Sequence, residues 1–190
     1  MKLISRSFAI LTLCAAAPLF GAISLVAHTS AASTTGGSVT TSAINTTGAN
    51  LIVISTTLQN GPASIRDSNN NTWTALNRYG TAVGIQLFYC LNPMVGSSHT
   101  FTNGASNEYQ SIAVGAFSGV ATSSAFDAQN GVANRSSPIQ TGSISPSQNG
   151  DLLVTAIGNG SSRADSVDSS FTLIEQQFWA NGIHWGISFA

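Results

Sequence analysis

Apolar residues recur at every second position along much of this chain, and the pattern is stated twice. Gly84-Ile-Gln-Leu-Phe-Tyr-Cys90 sets Ile85, Leu87 and Tyr89 on one face of a strand. About one hundred residues on, His184-Trp-Gly-Ile-Ser-Phe-Ala190 sets Trp185, Ile187 and Phe189 on the equivalent face. Val39-Thr-Thr-Ser-Ala-Ile44 is likewise echoed by Ile139-Gln-Thr-Gly-Ser-Ile144, and Gly48-Ala-Asn-Leu-Ile-Val-Ile-Ser55 by Asn149-Gly-Asp-Leu-Leu-Val-Thr-Ala156. Such a repeat predicts two similar β-units packed on one another, because neither buries its apolar face alone. Leu87 and Ile187 become equivalent core positions, and Gln86 lies on the opposite face of its strand, where a charge is tolerated if that face is wet.

Strands are predicted at residues 23–28, 39–44, 50–57, 84–90, 99–102, 110–118, 139–144, 151–158, 171–177 and 184–189, each rich in Val, Ile, Phe and Thr between Gly, Asn, Ser and Pro. Ala-Val-Gly-Ala-Phe at 113–117 alternates less cleanly, as a central strand covered on both sides would. The loops at 29–37, 61–72, 121–137 and 158–170 are too short and too ordinary in composition to be interdomain linkers. About thirty residues of the second copy are wanting after Ala190. The sequence therefore reads as a piece of a longer module, or as one completed by strand exchange with another chain.

Lys2, Arg6 and the uncharged run from Phe8 to Ala17 have the form of a signal peptide, assigned to residues 1–22, with one domain over 23–190. A longer apolar run through Ala27 would reach the length of a membrane anchor. The repeat argues against that, since Leu25-Val-Ala-His28 lies opposite Ala125-Phe-Asp-Ala128 and reads as the first strand. No stable membrane span is expected after signal removal. Of the two cysteines, Cys14 falls in the signal, leaving Cys90 with an apolar, buried role.

At 190 residues, 7% charged and with a formal net charge of -1, the chain lacks the basic field that nucleic acid demands. Abundant Ser, Thr, Asn and Gly on a 43% hydrophobic chain fits an extracellular or cell-surface β-protein.

Gly-Ala-Asn-Leu-Ile-Val-Ile at 48–54, Asp67-Ser-Asn-Asn-Asn-Thr-Trp73, Leu87-Phe-Tyr89 before Asn92-Pro93, and Ala116-Phe-Ser-Gly119 resemble an uncharacterised β-sandwich module of secreted bacterial and phage-associated proteins. The resemblance covers nearly all the chain after about Ile23. It implies an all-β fold, a two-sheet antiparallel sandwich of jelly-roll or immunoglobulin-like form, and carries over no catalytic residue. With the repeat, it predicts a sandwich of two similar halves whose last strands are missing.

Candidate chemistry is sparse. Asp67, Asn69 and Asn71 have the alternate spacing of Ca²⁺ ligands, but no Gly or bidentate Glu follows, and Asn-rich segments form tight turns by themselves. Asp165 and Asp168 occupy the matching second loop. No metal and no cofactor is assigned. Glu108 and Glu175, the only glutamates, each stand apart from another acid, against glycoside hydrolysis; no Gly-x-Ser-x-Gly elbow appears, and His28, His99 and His184 have structural explanations.

Trp73 and Trp185 are expected in the core. Tyr79 and Trp179 align with one another in loops, beside Asn77 and Arg78 in one copy and Asn181 in the other. Aromatic rings flanked by amide and guanidinium groups stack sugars and bond their hydroxyls. These five residues form the candidate ligand site, for a glycan or cell-surface polymer. Three classes stay open: a non-enzymatic adhesion or carbohydrate-binding module, a structural subunit of a virion or surface assembly, and a glycan-active enzyme.

Overall fold

A computed structural model describes residues 21–59, 61–81, 84–104, 109–133, 138–160, 165–177 and 185–190. The described residues form no helix, and so none long and apolar enough to cross a membrane. Their strands are β1 (Ser24–Ala32), β2 (Val39–Thr40), β3 (Leu51–Leu58), β4 (Ile65–Asp67), β5 (Thr74–Ala75), β6 (Gly84–Leu91), β7 (Phe101–Asn103), β8 (Ser111–Ser118), β9 (Ala156–Asn159), β10 (Glu175–Gln177) and β11 (Gly186–Phe189). A five-stranded sheet runs β1-β8-β3-β6-β5, and two three-stranded sheets run β2-β7-β4 and β10-β11-β9, all antiparallel.

Three sheets thus take the place of the expected two, because the five-stranded sheet is apolar on both faces. On one face Ile52, Ile54, Phe88, Ile112 and Val114 pack with Val39 of β2 and Phe101 of β7. On the other, Leu51, Val53, Ala113 and Phe117 pack with Ile187 and Phe189 of β11. Strand β3 is buried at all eight positions, which explains its unbroken Leu-Ile-Val-Ile run. Two of its three buried hydroxyls have partners, Ser55 Oγ having none among the described residues: Thr56 Oγ1 donates to Ser111 O at 2.9 Å and accepts from Asn103 Nδ2 at 2.9 Å. Thr57 Oγ1 accepts from Ser111 N at 2.9 Å.

The faces read as equivalent from sequence do meet: Ile85, Leu87 and Tyr89 pack against the cluster that contains Ile187 and Phe189. Thr74 pairs with Tyr89 and Ala75 with Phe88; Glu175 pairs with Phe189 and Gln176 with Ser188. Strand β9 pairs with β11 as β3 pairs with β6, displaced by two residues, so each side chain keeps its face.

Other expectations change. Residues 139–144 form no strand, and Ile139 and Ile144 are exposed. Val39–Thr40, which they echo, are held by β7, and an isolated strand has nothing to bond. The short β4 and β5 form in or beside a stretch read as loop. Gln86 is not on a wet face: Phe88 and Cys90 beside it are buried, and its Nε2 donates to Leu76 O at 2.9 Å. Gln86→Glu should therefore destabilise measurably, by about 1 to 3 kcal/mol, through a lost donor beside an apolar core. Ile187→Ala, at a fully buried position, should cost about 2 to 5 kcal/mol. Urea titrations of both variants check the two values; a Gln86→Glu chain as stable as the parent would restore the wet face.

Candidate functional site

The loop between β5 and β6 carries the first half of the sequence-derived site. Tyr79 N donates to Ile85 O at 3.0 Å and Ile85 N to Tyr79 O at 2.8 Å, which fixes the backbone of the loop. The Tyr79 ring lies against Gly131, leaving no room there for a Cβ. The Arg78 guanidinium covers Gly84 in the same way, and its Nη1 donates to Gly61 O at 2.7 Å, with Nε buried and unpartnered. Asn77 is exposed, and its backbone N donates to Gln129 Oε1 at 2.9 Å. Gln129 and Gly131 are thus held against the edge of the central sheet. Trp179 and Asn181, the other half of the candidate site, lie outside the described residues, as do residues 1–20 of the expected signal peptide, Glu108 and His184.

The Asp-Ser-Asn-Asn-Asn segment is a turn built around one carboxylate. Asp67 Oδ1 accepts from Asn69 N at 2.8 Å, Oδ2 from Asn71 N at 3.2 Å and from Trp73 Nε1 at 2.8 Å. Asn70 takes the left-handed backbone that asparagine tolerates, with φ 59°. His99 Nε2 lies 3.0 Å from Asp67 Oδ1, and its Nδ1 lies 3.0 Å from Thr46 Oγ1. A hydroxyl, an imidazole and a carboxylate in series are the parts of a nucleophilic triad. Thr46 and His99 are 0% exposed, however, so no substrate reaches them, and the series ties β4 and β7 to the loop before β3.

Other ionisable groups also serve the fold. Glu175 accepts from Ser30 Oγ and lies 2.6 Å from His28 Nδ1, joining β10 to β1. Asp165 Oδ2 accepts from Ser188 Oγ at 2.7 Å and from Asn159 Nδ2 across β11 and β9. Asp127 Oδ2 accepts from Ser147 N at 2.6 Å. Hydrogen bonds from the Ser170 backbone and hydroxyl hold the Asp168 carboxyl below its ordinary range. Burial, and then the negative charge of Asp67, push the Cys90 thiol above its ordinary range, which disfavours the thiolate.

A half-open cavity with an apolar floor and polar residues on its rim has no counterpart among the residues singled out from sequence. It encloses about 480 Å³ over the second face of the central sheet, where Leu51 and Val53 of β3 and Leu87 and Tyr89 of β6 form its floor. Residues 125–128 and 152–154 also line it, and Phe126 stacks on Tyr89 with ring centroids 6.1 Å apart and an interplanar angle of 8°. No known protein family, curated protein or solved structure matches this chain. The cavity draws on segments up to about 130 residues apart, so no local stretch of sequence marks it. Its sequence signal is the apolar character of Leu152, Leu153 and Val154 ahead of a strand only four residues long.

Proposed function

We propose that this chain is an exported, non-enzymatic β-sandwich module that binds or assembles at an extracellular surface. One observation carries the reading: the cavity over the central sheet has an apolar floor, whereas Asp67, His99, Glu175 and Asp165 are engaged in holding strands and turns together. An apolar recess is suited to binding, and acid–base chemistry needs groups free to exchange protons with a substrate. Support for the sandwich form is the packing of β10-β11-β9 on the second face of the five-stranded sheet. The low charge and the N-terminal apolar run support export to a surface or extracellular compartment.

A structural-subunit role is the second reading, and the place of β9 at the edge of its sheet among the described residues favours it. For a glycan ligand, Tyr79 and Trp179 remain the proposed stacking rings, with Asn77, Arg78 and Asn181 as hydrogen-bonding partners. The packing of Tyr79 on Gly131 and of Arg78 on Gly84 leaves less of both side chains for a ligand.

Two measurements on material from an exporting host test this function. Intact mass should place the new N-terminus between Ala17 and Ala32. On a glycan array, a carbohydrate-binding chain should lose more than about tenfold in affinity on Tyr79→Ala or Trp179→Ala. Uncleaved chain held in the membrane fraction contradicts export. Binding that survives both substitutions contradicts the glycan site.

A further inference from the structure

We infer that the half-open cavity over the central sheet binds an amphiphilic cation, a small molecule with an apolar body and one ammonium group; this deepens, and rests on, the binding-module reading above. The volume of about 480 Å³ lies inside the range of small-molecule sites, about 300 to 1,000 Å³. Leu51, Val53 and Leu87 make the floor apolar, and Tyr89 is the floor residue with a polar tip. Its hydroxyl makes no hydrogen bond with another described residue. The mouth is apolar as well. Phe126, Ile144 and Leu153 line the cavity and are 43%, 40% and 46% exposed. Large apolar side chains scattered singly over a surface are ordinary, but three gathered at one opening mark a surface kept for a ligand.

Charge decides what kind of ligand. The charged residues of the lining are Asp127 and Asp151, and among the described residues no Lys, Arg or His lines the cavity. These two carboxylates also differ from the rest. Asp67, Asp165, Asp168 and Glu175 accept hydrogen bonds that hold turns and strands in place. Asp127 accepts from Ser147 N through Oδ2 alone, and the Asp151 carboxylate makes no hydrogen bond with another described residue. Unengaged carboxylate oxygens therefore collect where the apolar side chains are also left uncovered.

Each of the two acids adjoins apolar lining in sequence, Asp127 next to Phe126 and Asp151 next to Leu152-Leu153. That arrangement matches a ligand whose charge sits at one end of an apolar body. A fatty-acid carboxylate would meet two like charges and no counter-charge, and a sugar would meet a floor with a single hydroxyl. An ammonium meets two carboxylates and, in Tyr89 and Phe126, aromatic rings whose faces attract cations.

The test uses the full chain with methyl-labelled Leu and Val and three probes of one chain length: octyltrimethylammonium, octanoate and 1-octanol. The expected result is saturable binding of octyltrimethylammonium with methyl shifts at Val53, Leu87 and Leu153, at least about tenfold tighter than octanoate and about threefold tighter than octanol. High salt should narrow the gap between the cation and octanoate, because it screens exposed charges. Asp151→Asn, at an exposed position, should fold normally, weaken the cation about two- to fivefold and leave octanol unchanged. Leu153→Asn, also exposed, should weaken all three probes.

Octanoate binding as tightly as the cation would overturn the inference, as would methyl shifts confined to residues outside the cavity, or an unchanged preference in both Asp151→Asn and Asp127→Asn. Equal binding of all three probes with shifts at Val53, Leu87 and Leu153 would overturn the charge assignment and leave the binding-module reading standing. No binding of any probe by correctly folded chain would overturn both. Export and glycan binding have their own measurements.

Discussion

Replacing Asp67 with Ala should cost about 3 to 5 kcal/mol of folding stability, the scale on which removing one partner of a buried charged group destabilises a domain. The reason is the number of groups that converge on it. The backbone N–H groups of Asn69 and Asn71, the indole of Trp73 and Nε2 of His99 would all lose their partner at once. Asp67 is 8% exposed and His99 fully buried, so water replaces few of these bonds. Asp67→Asn keeps one oxygen but turns an N–H₂ toward a donor, and it should cost about 1 to 3 kcal/mol. Urea unfolding monitored by Trp73 fluorescence reads both. A loss below about 1 kcal/mol for Asp67→Ala would mean that the turn is held by its asparagines alone.

The second large effect is expected at Phe189. Its ring is fully buried between β11 and the central sheet, against the bare backbone of Gly115 in β8. Phe189→Ala should cost about 3 to 5 kcal/mol, combining lost burial with the cavity left behind. Gly115→Val should cost about 1 to 3 kcal/mol, because a Cβ there meets the rings of both Phe117 and Phe189. The two changes share one space, so the double variant should be more stable than the sum of the single losses by at least about 0.5 kcal/mol. Strict additivity would separate Phe189 from Gly115 and remove the second sheet from this face of the first.

Much of the central architecture was legible because it rests on period-two patterns in long strands. β3, β6 and β8 fall within a residue or so of their predicted spans, and the meeting of Leu87 and Tyr89 with Ile187 and Phe189 follows from alternation alone. The third sheet was legible in part: strands were expected at 39–44 and 99–102, where β2 and β7 form, while β4 lies in a stretch read as loop. These strands are only two or three residues long, and Phe101 and Val39 find apolar cover on β3, β6 and β8, which alternation alone does not show. Gln86 was misplaced for the same reason, since alternation identifies two faces and not whether both are covered. At the candidate site, sequence alignment brought Tyr79 and Arg78 forward as loop residues but could not show that each lies over a glycine, Gly131 and Gly84. Asp67 and His99 stand thirty-two residues apart, and the cavity joins residues from both halves, so neither has a local signature.

The most direct measurement is amide hydrogen exchange at single-residue resolution along β9 in the chain without a partner. An edge position for β9 predicts alternation: Thr155 and Ile157, bonded toward β11, exchange slowly, while Ala156 and Gly158, whose N–H groups turn away from β11, exchange faster. Uniform protection from Thr155 through Gly158 would show that this edge is already paired, and would contradict β9 as the edge strand of its sheet.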